Sequence, residues 1–197
     1  MSLNLEKQMR FYGAYHHNKV NIGIHVVCVP LILFTTIVIF TNTPSVPLPA
    51  WLTIPNLPLN LASFFLVIYA TTYLLMEPVA GAMLTPVLVA ATAYGNYLTS
   101  TYGMTANKWA VGVFLVSWIA QFVGHGKYEG RAPALFDNIA QAFVLAPFFV
   151  FFEGLFALGY RPELKKRIDL AVEDEIRKFR EKNDQAANGH ANGGKTS

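Results

Sequence analysis

This sequence predicts an all-α integral membrane protein, with four to five transmembrane helices and a C-terminal amphipathic charged helix. Three observations carry that reading. Of 197 residues, 53% are hydrophobic and only 14% charged, whereas about a quarter of a soluble domain is charged. Between residues 20 and 160 the only charges are Glu77, Lys108, Lys127, Glu129, Arg131, Asp137 and Glu153, too few to cover a water-facing surface. The apolar residues also fall into uncharged runs of membrane-spanning length.

Met1 to Lys19 mixes Glu6, Lys7 and Arg10 with aromatic residues and lacks the apolar core and small-residue cleavage site of a signal peptide, so the first span must direct insertion. Val20 to Phe40 is that span, 21 residues without a charge, and at 1.5 Å rise per residue it matches a hydrocarbon core of about 30 Å. Thr41 to Pro58 carries Pro44, Pro47, Pro49, Pro55 and Pro58 with Trp51 and reads as an ordered or interfacial loop. Leu59 to Met76 and Val79 to Leu98 form a hairpin of two spans, broken by Glu77-Pro78 because the residue before proline is disfavoured in a helix. After a polar link from Thr99 to Lys108, Trp109 to Gly124 makes a fourth, slightly short span.

Ile139 to Tyr160 is apolar again, but Pro147 and Glu153 lie within it, which fits a re-entrant or interfacial helix as well as a fifth crossing. Beyond Pro162, the residues Leu164, Ile168, Val172, Ile176 and Phe179 form one narrow apolar stripe on a densely charged helix, to lie on the membrane surface or on the core. The expected organisation is a helical membrane domain with a metal site over residues 1–162, a charged helix over 163–184, and a disordered tail over 185–197 in which His190 is a bystander. A net charge of +3 without a basic stripe excludes a nucleic-acid partner. Cys28, the single cysteine, excludes an internal disulfide and a thiolate cluster and reads as a buried, inert thiol.

Four antiparallel crossings return the chain to its starting face, which brings His16, His17 and His25 beside His125. That face holds Lys7, Arg10, Lys19, Lys127 and Arg131 in short segments, against Lys108 opposite, and the positive-inside rule makes it cytosolic. Four of the seven charges between residues 20 and 160 cluster from Lys127 to Asp137, where charge near a bilayer is costly. A lone interfacial histidine is ordinarily a polar anchor. Several converging by topology suit Fe, Zn, Cu or Ni. His16 and His25 are nine residues apart, on opposite sides of a continuous helix, so joint ligation needs a break, for which Asn18 to Gly23 offers turn-prone residues.

The segments Tyr15-His16-His17-Asn18-Lys19-Val20-Asn21-Ile22-Gly23-Ile24-His25, Cys28-Val29-Pro30, Gln121-Phe122-Val123-Gly124-His125-Gly126-Lys127-Tyr128-Glu129 and Arg131-Ala132-Pro133-Ala134-Leu135 together resemble the membrane 2-hydroxy fatty acid dioxygenases. This family includes a fungal endoplasmic reticulum enzyme of phytosphingosine degradation, and the likeness runs from about Leu5 to Leu164. One departure is the absence of proline at Lys19 and Val20. The resemblance implies Fe(II)-dependent α-oxidation, in which O2 cleaves a long-chain 2-hydroxy fatty acid to the acid one carbon shorter at a multi-pass endoplasmic reticulum membrane. It maps the iron ligands and catalytic residues onto His16, His25 and His125, with His17 or Glu129 as a further ligand. Three nitrogens on a six-coordinate iron leave positions for the hydroxyl and carboxylate of the substrate and for O2. Asn21, Gln121, Glu129 and Asp137 are candidates to orient the ligands, and Lys127 and Arg131 to hold the substrate carboxylate. A di-iron desaturase needs about eight histidines in HxxxH and HxxHH boxes, and this chain has five. The alternative from another class is a non-catalytic scaffold or lipid-binding protein with interfacial histidines.

Overall fold

The computed structural model describes residues 3–130 and 141–193. A short amphipathic helix α1 (Leu5–Tyr15) is followed by α2 (Lys19–Phe40), α3 (Leu61–Met76), α4 (Pro78–Tyr102), α5 (Met104–Gly124), α6 (Ala146–Ala157) and α7 (Pro162–Gly193). Three of these, α2, α4 and α5 with its continuation to Glu129, are long and apolar enough to cross a membrane, and α3 is a shorter apolar helix between them. Val27, Val67, Leu75, Val87, Val116 and Ile119 on these helices are more than half exposed, the outward apolar surface that a bilayer solvates. The protein is an all-α membrane protein.

Local sequence explains the joints. Asn18 caps α2 by accepting from the Val20 N–H at 2.9 Å, and Asn60 caps α3 through the Ser63 N–H at 3.1 Å, each pairing a donor the first turn leaves free. Glu77 ends α3 and caps α4, while Pro78 fits the first turn, where its missing N–H removes no bond. The polar link expected from Thr99 to Lys108 shrinks to Gly103 alone, at φ +50°, because α4 and α5 continue through their polar ends. Only glycine takes that backbone shape readily.

The segment expected at Ile139 to Tyr160 contributes α6, whose 12 residues span about 18 Å and so fall short of a crossing. Its axis meets α7 at a bend of 118°, with Arg161 at φ +48° in the turn. Phe148, Phe149 and Phe152 are wholly buried on α6 and centre a core fed by α1, α3, α4 and α7. Tyr69 and Tyr73 of α3 donate their hydroxyls to the Phe143 and Val144 carbonyls just before α6, at 2.9 and 2.7 Å, and the Tyr73 ring stacks on Phe148. The first part of the α7 stripe faces the core, where Leu164 and Ile168 are buried and Val172 packs beside them, while Phe179 is exposed. Gly13 of α1 leaves the space that Val172 fills. Helix α7 runs past residue 184, where the sequence placed its end. Buried Glu77 joins both hinges, accepting from Arg161 Nη2 at 2.7 Å and the Tyr160 hydroxyl at 3.1 Å.

Candidate metal centre

Helices α2 and α5 run antiparallel, so the start of α2 meets the end of α5. The break needed between His16 and His25 lies at His16 to Asn18, earlier than the expected stretch, because Asn18 caps α2 and leaves Asn21 and Gly23 helical. His16 therefore projects from the end of α1 toward His25, one side of the first two turns of α2. The third ring, His125, opens a five-residue π-helical turn, His125–Glu129, closed by the Gly130 N–H on the His125 carbonyl at 3.0 Å. Such widened turns recur at functional sites.

The three rings meet edge to face, with centroids 4.4 Å apart for His16 and His25, 4.8 Å for His16 and His125, and 5.0 Å for His25 and His125. One nitrogen from each lies within 4.8 Å of the others. His16 Nδ1 is 3.0 Å from the Tyr12 carbonyl and His25 Nδ1 3.0 Å from the Asn21 carbonyl. A carbonyl only accepts, so each Nδ1 carries the proton and each Nε2 offers a lone pair, the tautomer a metal-ligating histidine needs. Burial, with His25 adding, pushes the His16 imidazole well below its ordinary pKa, and so holds it neutral. Buried His125 has no hydrogen bond at Nδ1. This donor set of three neutral imidazoles fits a borderline transition metal such as Fe(II) or Zn(II).

Glu129 ties the turn that positions His16 to the end of α5. Its Oε1 accepts from the His17 and Asn18 backbone N–H groups, both at 2.9 Å, and from Asn21 Nδ2 at 3.1 Å. Its Oε2 lies 2.7 Å from His17 Nδ1. His17 and Glu129 thus engage each other, and the group with metal-ligand spacing is His16, His25 and His125. Gly124 lets the two helices close here, because Asn21 Oδ1 lies where any side chain at that position would stand. Lys127 is exposed, with its ammonium 5.5 Å from the Tyr128 ring centre, and does not line the cavity described next. Arg131 and Asp137 lie outside the described residues.

The triad stands at the head of a cavity of about 90 Å³ whose wall is almost wholly apolar below the histidines. Along α2 it follows His25, Val29, Ile32 and Thr36, one face of the helix extended over 11 residues, or about 16 Å. Phe122 and Phe143, two-fifths exposed, border it on the outside. Tyr12, Trp118 and Gln121 also line it. Only Gln121 of these stood out in the sequence, although Tyr12 precedes His16 by the same four residues that separate Gln121 from His125, a spacing that puts each pair on one helix face.

Residues 2–158 match the model of the family described as 2-hydroxy-palmitic acid dioxygenase Mpo1-like. The chain is 37% identical over 181 residues to the 2-hydroxy-palmitic acid dioxygenase MPO1 of Saccharomyces cerevisiae, an alignment covering 90% of this chain and 95% of that protein. No solved structure matches it. A match over that much of the chain, carrying the histidines that the fold brings together, shows that this protein belongs to the 2-hydroxy-palmitic acid dioxygenase Mpo1-like family.

Proposed function

We propose that this protein is an Fe(II)-dependent dioxygenase that cleaves long-chain 2-hydroxy fatty acids to the acid one carbon shorter, in the degradation of sphingolipid-derived chains. The observation that carries this reading is the convergence of His16, His25 and His125 at the head of an apolar cavity running along α2. A membrane protein with metal-ligand spacing at the polar end of such a slot suits an amphiphile whose reacting carbons lie next to its headgroup. The named activity of the yeast relative is of that class.

The reaction balances without an external reductant. The C1–C2 bond of the 2-hydroxy acid breaks, C2 becomes the carboxyl carbon of the shortened acid, C1 leaves as CO2, and the remaining oxygen and two hydrogens leave as water. The acid supplies the four electrons that O2 takes up. His16, His25 and His125 would hold the iron, and bound Fe(II) would supply the one-electron chemistry by which O2 reacts with a closed-shell acid. The Tyr12 and Asn21 carbonyls fix two of the imidazoles, Glu129 and His17 hold the first turn in place, and Val29, Ile32 and Leu33 keep water from the alkyl chain.

The test is metal analysis beside turnover. Detergent-purified protein should carry close to one iron per chain and convert 2-hydroxypalmitate to pentadecanoate with uptake of O2, and His125→Ala should lose both iron and product. Full iron retention in that variant, or turnover by a zinc-only protein, would overturn the assignment. We further place the site on the cytosolic side of the endoplasmic reticulum membrane, from the five-to-one bias of Lys and Arg toward that face. In sealed microsomes Lys7→Cys should react with an impermeant thiol reagent and Trp51→Cys should not. The reverse pattern would invert the topology.

A further inference from the structure

Beside the histidines, the head of the cavity carries hydrogen-bond donors that no described residue satisfies. The Tyr12 hydroxyl and Gln121 Nε2 are both buried without a partner, on side chains of residues only 5% and 7% exposed. Trp118 Nε1, one turn earlier on α5, is likewise buried and unpaired. All three residues line the same cavity. Buried donors in folded proteins are paired in the great majority of cases, so a cluster of them lining one cavity points to a ligand rich in acceptors. Gln121 sits one turn before His125 on α5, and Tyr12 one turn before His16 on α1, its ring stacked on that imidazole at 4.3 Å. Both donors therefore stand beside the triad, at the end of the cavity where a chain's headgroup would lie.

We propose that Gln121 and Tyr12 form an uncharged cradle for the carboxylate of a long-chain 2-hydroxy acid, whose alkyl chain lies along Val29, Ile32 and Leu33 toward Thr36. This rests on the functional reading above and replaces Lys127 as the carboxylate's partner. Uncharged donors suit the position, because burying a cation in an apolar wall is costly, whereas an amide and a phenol make charge-assisted bonds only when the anion arrives. Trp118 gives the cradle a reporter. The other two tryptophans, Trp51 and Trp109, are 81% and 74% exposed, so a Trp51→Phe, Trp109→Phe background leaves emission from the cavity alone.

In that background, the full-length protein as purified and kept free of O2 is titrated with 2-hydroxypalmitate and with 1,2-hexadecanediol, which keeps the hydroxyl and lacks the carboxylate. The acid should bind about tenfold or more tightly than the diol, as one charge-assisted hydrogen bond implies. Gln121→Leu and Tyr12→Phe should each remove about a factor of ten of acid binding while leaving the diol within about twofold and the metal content unchanged. Unchanged acid binding in both variants overturns the cradle. So does an equal loss for acid and diol, which would make these residues shapers of the cavity. If the background protein binds neither ligand, it is the 2-hydroxy acid reading itself that fails.

Discussion

The two ends of the α2–α5 pair put polar side chains to opposite uses. At the far end, Asn42 and Asn107 exchange side-chain hydrogen bonds at 2.8 and 2.9 Å, Thr41 meets Thr99 at 2.9 Å, and Asn60 donates to Asn96 at 2.8 Å. At the near end, Tyr12, Gln121, Trp118 and His125 each keep a buried polar atom without a partner. Polar groups at helix ends in a membrane protein either satisfy one another, and so fasten helices, or stay available, and so mark a site. The difference shows in pairing and not in composition, since both ends are rich in hydrogen-bonding side chains.

The contrast would break most completely at Glu129, the near-end carboxylate whose Oε1 gathers three donors. Its side chain is wholly buried and gathers two backbone N–H groups, Asn21 and His17. Glu129→Ala leaves those donors without an acceptor, and a hydrogen bond to a charged group contributes about 1.5–3 kcal/mol. We expect a loss of about 3 kcal/mol or more in stability, seen as a lower midpoint of thermal unfolding in detergent, together with loss of bound metal. Retention of metal with normal stability would show that the turn carrying His16 is held by other contacts.

Gly124→Ala should act more locally. The added methyl group would occupy the place of Asn21 Oδ1, and overpacking of this kind typically costs about 1–3 kcal/mol. We expect helix content to persist while metal affinity falls by about tenfold, since Asn21 both carries the carbonyl that orients His25 and donates to Glu129. Gly112→Ala on the same helix, where a Cβ would meet no atom within 4 Å, is the control and should change neither.

Much of this was legible in the sequence, for physical reasons that also mark the limits. The spans were legible because charge is excluded from the bilayer, and the meeting of His16 and His25 with His125 followed from the parity of crossings. Resemblance to the dioxygenases pointed to the same three histidines. Three features were hidden by long-range partners. Glu129 looked like a ligand or its neighbour, yet its carboxylate serves a turn 112 residues earlier in the chain. Ile139 to Tyr160 was open to a re-entrant or interfacial helix as much as to a crossing, and its described residues form a π-helical turn at Gln141–Leu145, whose carbonyls the α3 tyrosines engage, followed by the 12 residues of α6. The apolar positions of α1, Leu5, Met9 and Tyr12, have a helical period, but charged neighbours in so short a segment mask it, and Tyr12 with it.

The smallest effect tests the far end. If Asn42 and Asn107 only fasten α2 to α5, then Asn42→Ala and Asn107→Ala should weaken stability without touching the metal or the reaction. Interhelical hydrogen bonds in membrane proteins average about 0.6 kcal/mol and reach about 1.7. The reciprocal pair makes two such bonds, but with Asn42 exposed and Asn107 only half-buried, water or lipid headgroups compete for them. We therefore expect each single variant to cost about 0.5–1 kcal/mol, and a double-mutant cycle to give a coupling of about 1 kcal/mol or less. Substrate turnover and iron content should remain those of the unaltered protein, because the pair lies some 17 residues along α2 from His25, about 25 Å by helical rise. Loss of metal in either variant would show that the far end sets the spacing of α2 and α5 at the histidines, and that the two ends work as one lever; a coupling near zero with normal activity would show instead that α2 and α5 are held together by their apolar contacts.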